Sequence, residues 1–288
     1  MASLREIKER ISSVSSTLKT TSAMKMVASA KFHRVQGMSA SLQVYEKSLT
    51  ETLRVLCADT SVKLESPFVG AGKQGGKVIV LALASDTSLC GAFNSQVIKA
   101  LEQKLARLKA DGAESVSIWP VGEKMAAAVN KWSWPVCNDF RNISSQLNPQ
   151  KAALIADRLM EEYLKGNADN VVVVYNHFYS MGRQVPQQRQ FLPFDITSTT
   201  EGVKLPDEDY ICEPSKHELF ETLLPYVLRS RIYALLLNSS TAEFAARTVA
   251  MQTASDNARD LLDELKLSYN KRRQQAITDE LADIAQVD

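Results

Sequence analysis

SLREIKERISSVSSTLKTTSAMKMVASAKFHRVQGMSASLQVYEKSLTETLRVLC, residues 3–57, holds no proline and a single glycine, Gly37. All nine prolines of the 288-residue chain lie between Pro67 and Pro225, and ten of its eleven glycines lie between Gly70 and Gly202. Proline removes a helix donor and clashes with the turn before it, and glycine costs about 1 kcal/mol against alanine inside a helix. The chain therefore reads as a long helix at each end with a compact domain between them. If helical from Ser3 to about Cys57, the first would be roughly 80 Å long at about 1.5 Å per residue.

Leu4, Ile7, Ile11, Val14, Leu18, Thr21 and Lys25 step by three and four, a coiled-coil seam. The seam is expected to weaken through Ala23, Met24, Val27, Ala28 and Ala30. It resumes at Val35, Met38, Leu42, Tyr45, Leu49, Leu53 and Leu56. From Tyr226 to Asp288 neither glycine nor proline occurs. Apolar positions recur there at Leu228, Ile232, Leu235, Leu236, Phe244, Met251, Leu261, Leu262, Leu265, Tyr269, Ala276, Ile277, Leu281 and Ile284. A helix so long needs a partner along its length, and an antiparallel coiled coil of the two termini buries both stripes. The alternative is two separate amphipathic helices packed on the central domain.

Between residues 77 and 200 the pattern changes. Val78–Ala84 is a continuous apolar run, as for a strand buried on both faces. Asn94 is placed to cap a helix reaching about Lys109, ended by Asp111-Gly112. Val116–Trp119 reads as a second strand. Asn148-Pro149 starts a helix that Gly166 ends, and Val171–Tyr175 is a third strand. This alternation predicts a small parallel, Rossmann-like α/β layer. The expected division is 1–60 for the first helix, 70–200 for the α/β domain and 208–288 for the last helix.

Composition narrows the function. Lysine plus arginine total 34 against 33 acidic residues, which gives no global case for nucleic acid or an anionic membrane. Cys57, Cys90, Cys137 and Cys212 form no CxxC pattern and, with His33, His177 and His217 far apart, predict neither a zinc site nor disulfides. Met1–Glu6 has no apolar signal core, and no apolar run approaches about 20 residues, so a chain that stays where it is made is expected. One glycine follows the first strand instead of the three of GxGxxG, and GxxxxGK[ST] is absent. Gly70, Gly72, Gly75 and Gly76 precede that strand and read as a flexible linker. No catalytic set, cofactor site or metal site is expected.

Charge is uneven along the helices. No acidic residue falls between Glu9 and Glu46, whereas Arg10, Lys19, Lys25, Lys31 and Arg34 do, and Lys271-Arg272-Arg273 forms a second basic cluster. A solvated face explains such runs in general. DNA readers carry denser Arg and Lys with Asn on one face. Here Ser12, Ser13, Ser15, Ser16, Thr17, Thr20, Thr21 and Ser22 interleave the charges, which suits a slim helix presented to an acidic protein partner.

Several motifs in order are similar to those of one family. Residues 3–7 and 20–31 resemble the opening helix of F-type ATP synthase gamma subunits ("KITxAMxMVAxxK"). Residues 245–258 resemble "AARMxAMxxATDNA", and Tyr269–Thr278 resembles "YNKARQAxIT". Tyr175–Phe178 and Ser85-Asp86 with Leu89-Cys90-Gly91 add to the match. Departures exist: Thr87, Ser88 and Ala92 replace Arg, Gly and Gly of "SDRGLCGG". Thr248 replaces methionine, and Arg272 and Gln275 stand where alanine is usual. No chloroplast-type cysteine pair accompanies Cys212, so a regulatory dithiol is not expected.

The resemblance implies a non-catalytic rotor shaft inside a ring of three alpha and three beta subunits. Proton flow through a membrane c-ring would be coupled to ATP synthesis at beta. Met24 and Lys25 would lie near the acidic lever of beta, and Arg273, Gln274 and Thr278 would meet a beta loop. The segment from Tyr210 to Glu213 would form a foot on the epsilon subunit and the c-ring. It further implies a peripheral position on the cytoplasmic face of a bacterial inner membrane. A Rossmann-like enzyme with helical arms, a coiled-coil adaptor of another assembly, and a gamma subunit for sodium coupling or ATP hydrolysis are the rival readings.

Overall fold

The computed structural model describes residues 3–58, 66–70, 72–73, 75–143, 147–195, 212–213 and 215–285. In chain order the elements are α1 (Leu4–Ala58), β1 (Lys77–Leu83), α2 (Phe93–Ala110), β2 (Ser115–Val121), α3 (Glu123–Val129), α4 (Pro149–Leu164), β3 (Asn170–Ser180), β4 (Arg183–Leu192) and α5 (Lys216–Ala285). They form two compact units, Met1–Ala30 with Arg247–Asp288, and Lys31–Ala246.

Both long helices open on a Ser-x-x-Glu signal. Ser3 Oγ accepts from Glu6 N at 3.3 Å while Glu6 Oε2 accepts from Ser3 N at 2.8 Å, a reciprocal capping box. Ser215 Oγ accepts from Glu218 N at 3.2 Å. The last helix thus starts ten residues before Tyr226, with Pro225 inside it. Pro225 therefore lies within this helix and not before it. An interior proline costs about 3 kcal/mol, and the burial of Phe220, Leu224, Val227 and Leu228 around it offsets that cost.

In the first unit the three-four spacing of α1 picks out Ile7, Ile11, Val14, Leu18, Thr21, Lys25 and Ala28, all buried or half-buried, with Leu4, Ser15, Ser22, Met24 and Ser29 half-buried beside them. In the second unit the same spacing picks out Phe32, Val35, Ser39, Leu42, Glu46, Leu49, Leu53 and Leu56. The expected weakening is absent as geometry: the three-four alternation holds, and polar residues occupy some of its places. Tyr45, assigned to the seam from sequence, is 51% exposed, and Val27 is 57% exposed. On α5 the inward positions run Thr248, Met251, Ser255, Ala258, Leu262, Leu265, Tyr269, Arg272 and Ala276. Leu261, Ile277 and Leu281 face outward, a second correction. In the second unit Lys31 Nζ lies 5.6 Å from the Phe244 ring centroid, and Glu46 senses Arg231. The later residue of α1 meets the earlier residue of α5, so the pair is antiparallel.

The sheet order is β2-β1-β3-β4. The first three strands are parallel, as their apolar runs predict, and β4 pairs antiparallel with β3. β4 was missed by sequence because Arg183–Leu192 is polar and contains Pro186; proline is tolerated in a strand at a sheet edge, where β4 lies. Alternate residues of β1 and β3 build two cores. Ile79, Leu81, Leu83, Val171 and Val173 pack with Ile155 and Leu159 of α4, Leu53 of α1 and Leu228 of α5. Val78, Val80, Ala82, Val172 and Val174 pack with Val97, Leu101 and Leu105 of α2 and Met125 of α3. The fold is mixed α/β with long terminal helices.

The loop ends are tighter than a linker. Lys77 N donates to Asp169 Oδ2 at 2.8 Å, and a Cβ on Gly76 would stand 2.6 Å from that oxygen, so this glycine allows a close approach. Asn148 caps α4 from Lys151 N at 2.8 Å, followed by Pro149, as the sequence predicts. Asn94 does not cap α2, whose N-cap is Ala92. Its side chain turns back instead, accepting from Ser85 N at 3.1 Å and donating to Ser85 Oγ at 2.8 Å.

Candidate partner-contact surfaces

In the first unit, Ser255 is 3% exposed and joins the two helices through hydroxyls. Its Oγ donates to Thr21 Oγ1 at 2.8 Å and receives Ser22 Oγ at 3.4 Å. Four hydroxyls of this stretch of α1, those of exposed Ser16, Thr17 and Thr20 and of half-buried Thr21, bond to their own helix. Ser16 donates to Ser12 O at 3.0 Å, Thr17 to Ser13 O at 3.1 Å, Thr20 to Ser16 O at 3.0 Å and Thr21 to Thr17 O at 3.0 Å.

Of the residues singled out by sequence, Met24 and Lys25 are half-buried. Lys25 occupies a seam place near Asp256, whose carboxyl sits below the usual range. The Gln252 side chain is the largest cause of that shift, with Arg259 and Lys25 adding to it. The outward apolar groups beside them are Met26, 67% exposed, and Val27, which sequence reasoning assigned to the seam or passed over. Arg273, Gln274 and Thr278 are exposed on α5, and Thr278 Oγ1 donates to Gln274 O at 2.9 Å. Arg273 with Ile277, and Gln274 with Thr278 and Leu281, stand three or four residues apart and share sides of the helix. Leu267 is 72% exposed. Continuing the strict three-four count from Ile7 and Thr248 would have found these outward residues, because they are the apolar ones it leaves out.

Glu213 is exposed and belongs to the second unit, and Tyr210 lies outside the described residues. The ends of the Ser85–Asn94 loop are tied by a polar knot around buried Ser85 and Cys90. Ser85 Oγ donates to Thr87 O at 2.7 Å, and Asn94 Nδ2 reaches Cys90 Sγ at 3.2 Å. The turn rests on Leu89 at φ 67° and Gly91 at φ 59°, whereas Ala92 has φ −84°, so a side chain at 92 introduces no strain. Asn176 anchors the knot to the sheet, donating to Phe93 O at 2.7 Å. This geometry fixes the loop ends to the sheet, while Thr87, Ser88, Leu89, Gly91 and Ala92 are exposed. Among the described residues no group of three or more His, Cys, Asp or Glu is placed to hold a metal, and no helix is long and apolar enough to cross a membrane.

The ATP synthase family profile matches residues 3–286. The chain is 45% identical to the ATP synthase gamma chain of Phocaeicola vulgatus and 43% identical to that of Bacteroides thetaiotaomicron, in each case over 99% of this chain and 98% of the relative. Among solved structures it resembles chains of the Euglena gracilis mitochondrial ATP synthase. A chain of its rotor matches at a TM-score of 0.59 and 20% identity, covering 95% of this chain and 98% of that one. A chain of its OSCP/F1/c-ring assembly matches at 0.60 and 18% identity, covering 99% and 93%. Two end helices with an unbroken three-four spacing, a small sheet between them and this whole-length likeness make the chain a member of the ATP synthase gamma chain family.

Proposed function

We propose that the chain is the central rotor stalk of an F-type ATP synthase, coupling proton flow through a membrane ring to ATP synthesis without catalysing a reaction itself. In this reading residues 1–60 and 208–288 are the shaft and 70–200 the attached body. Three alpha and three beta subunits surround the shaft, and the epsilon subunit and the c-ring receive the foot, which includes Glu213 and Tyr210. The assembly sits on the cytoplasmic face of the bacterial inner membrane and holds this chain there through the ring.

The observation that carries the reading is the outside of the first unit. On α1 Met26 and Val27 stand exposed, and on α5 Leu267, Ile277 and Leu281 stand exposed along the same stretch as the polar Arg273, Gln274 and Thr278. Exposed apolar groups rimmed by polar ones mark a protein-facing surface. Because the faces differ in bulk and charge, each beta subunit would meet a different face as the shaft turns. Its conformational equilibrium would shift by the difference in contact energy. Lys25 and Met24, half-buried at the seam, would lie near the beta lever, and Arg273, whose planar fork grips a carboxylate in two places, would hold a beta loop.

The test is purification of the tagged full chain from its own cell membranes, followed by ATPase and proton-pumping assays. Recovery of alpha and beta subunits is expected. Arg273→Ala should lower pumping per ATP hydrolysed while assembly persists, since losing one charged hydrogen bond costs about 1.5–3 kcal/mol. Recovery with unrelated partners sinks the rotor reading, and full coupling in Arg273→Ala removes that residue's assigned role.

A further inference from the structure

The parallel strands of the sheet stand in the order β2-β1-β3. From β1 the chain goes to β2 on one side and then returns to β3 on the other, with α2 packed on one face and α4 on the opposite one. In open α/β sheets, ligands bind at such a reversal, in the crevice outside the carboxyl ends of the two strands that flank it. Those ends are Leu83 of β1, which leads into the Ser85–Asn94 loop, and the part of β3 beyond Val174, where pairing with β1 stops.

The protein's own long helices fill this crevice. Cys90 and Phe93 pack with Ala242 of α5, and the three are 1%, 3% and 0% exposed, with half-buried Phe178 and Ala246 against them. α5 also bonds the strand, since Asn238 Oδ1 accepts from Phe178 N at 2.9 Å. From α1, the Phe32 ring stands 5.6 Å from that of Phe178. The position along the helices matters. The core on the α4 face takes residues of α5 from Phe220 to Leu237, and the crevice takes the next ones, Asn238, Ala242 and Ala246. Ala246 is the last residue of the second unit on α5, and Phe32 follows Lys31, its first on α1. The crevice therefore holds both helices at the end of that unit.

We propose that this crevice is a collar, in which the place where an α/β layer usually binds a ligand is given over to gripping the shaft helices as they leave the body. Its mechanical meaning rests on the rotor reading; the grip itself does not. A hydrogen bond is directional, so the bond from Phe178 N to Asn238 fixes the rotation of α5 about its own axis against β3. Ala242 permits the close approach, because a close-packed site that is wholly buried between Cys90 and Phe93 has no room for a larger side chain. Torque exchanged between body and shaft crosses this contact, and with the helices seated the crevice holds no nucleotide.

The experiment joins amide hydrogen exchange on the purified full chain to ATP-driven proton pumping by the membrane complex assembled with it. In Asn238→Ala the Phe178 amide loses its acceptor, so exchange at Phe178 and across residues 89–94 should quicken about tenfold while Val78–Leu83 is unchanged. Asn238→Asp keeps an acceptor oxygen in place and should exchange like the parent chain. Ala242→Leu wedges the crevice and should quicken the same segments. In the assembled complex, Asn238→Ala and Ala242→Leu should pump fewer protons per ATP hydrolysed, and Asn238→Asp should restore the ratio. If Ala242→Leu does not fold, the two Asn238 variants decide the matter. A parent chain that fails to assemble with alpha and beta subunits removes the rotor reading, and the exchange result then judges the grip by itself. Unchanged exchange in Asn238→Ala, or equal quickening in Val78–Leu83, overturns the proposal. So does full pumping alongside quickened exchange. Protection of residues 85–94 by added AMP also overturns it, in favour of a ligand crevice.

Discussion

Replacing Ser255 by alanine tests how the two helices are held in the first unit. Its hydroxyl makes one good bond, to Thr21 Oγ1 at 2.8 Å, and one long one, from Ser22 at 3.4 Å. A net hydrogen bond is worth about 0.5–1.5 kcal/mol, and the longer contact adds less. Thr21 keeps its own bonds to the carbonyls of Thr17 and Leu18, so it is not stranded. The expected loss is therefore about 1–1.5 kcal/mol of helix-pair stability, rather than the larger cost of an orphaned group. A difference of about 1.4 kcal/mol is a factor of about ten in an opening equilibrium, so amide hydrogen exchange in residues 15–28 and 248–262 should quicken by about five- to tenfold. Thr21→Val removes the same bond from the other side, and the double variant should show a coupling of about 0.5–1 kcal/mol. Additive effects, or unchanged exchange in Ser255→Ala, would refute the hydroxyl clasp.

Three further outcomes follow from single positions. Gly122 has φ +96°, and a Cβ there would strike Ala84 O, so Gly122→Ala should lower stability by about 1–3 kcal/mol in urea unfolding; an unshifted midpoint contradicts the assigned strain. Gly37 is exposed in α1 with nothing near its missing Cβ, so Gly37→Ala should add about 0.5–1 kcal/mol, and a loss of stability would show that the helix needs glycine there. Burial raises the Glu46 carboxyl above its ordinary 4.5, with Arg231 and Arg189 drawing it back. The folded chain then keeps a proton that the unfolded chain has released, so stability should fall as pH rises from about 4.5 through the raised value. Glu46→Gln should flatten that slope in phosphate-free buffer, and parallel curves for the two proteins would exclude the effect.

The end helices and the parallel strands were legible because each is written in one period. The same spacing was also followed too literally. Counting apolar residues put Tyr45 in the seam and skipped Phe32, whereas the helix keeps its angle and buries half of Glu46. Leu261, Ile277 and Leu281 were drawn inward by hydrophobicity alone, although the count from Thr248 leaves them outside. Pro225 and Pro186 sit inside elements because tertiary packing overrides local rules: a buried face carries α5 across the first, and a sheet edge tolerates the second. Asn94 obeyed a capping statistic in sequence but is engaged by Ser85, a partner nine residues away. Arg273, Gln274 and Thr278 came from the family resemblance. Their exposure is compatible with partner contact, and no local pattern singles them out.

The hydroxyls of Ser16, Thr17, Thr20 and Thr21 each donate to a carbonyl of their own helix. For a part that turns inside a ring, this bears on friction. A free hydroxyl pointing outward forms a bond at one angle and must break it to leave. At about 1.4 kcal/mol per bond, each would slow the next step about tenfold. With their protons already committed, these side chains leave the angular energy profile shallow. Any angular barrier then comes less from these four side chains than from the charged and bulky groups around them.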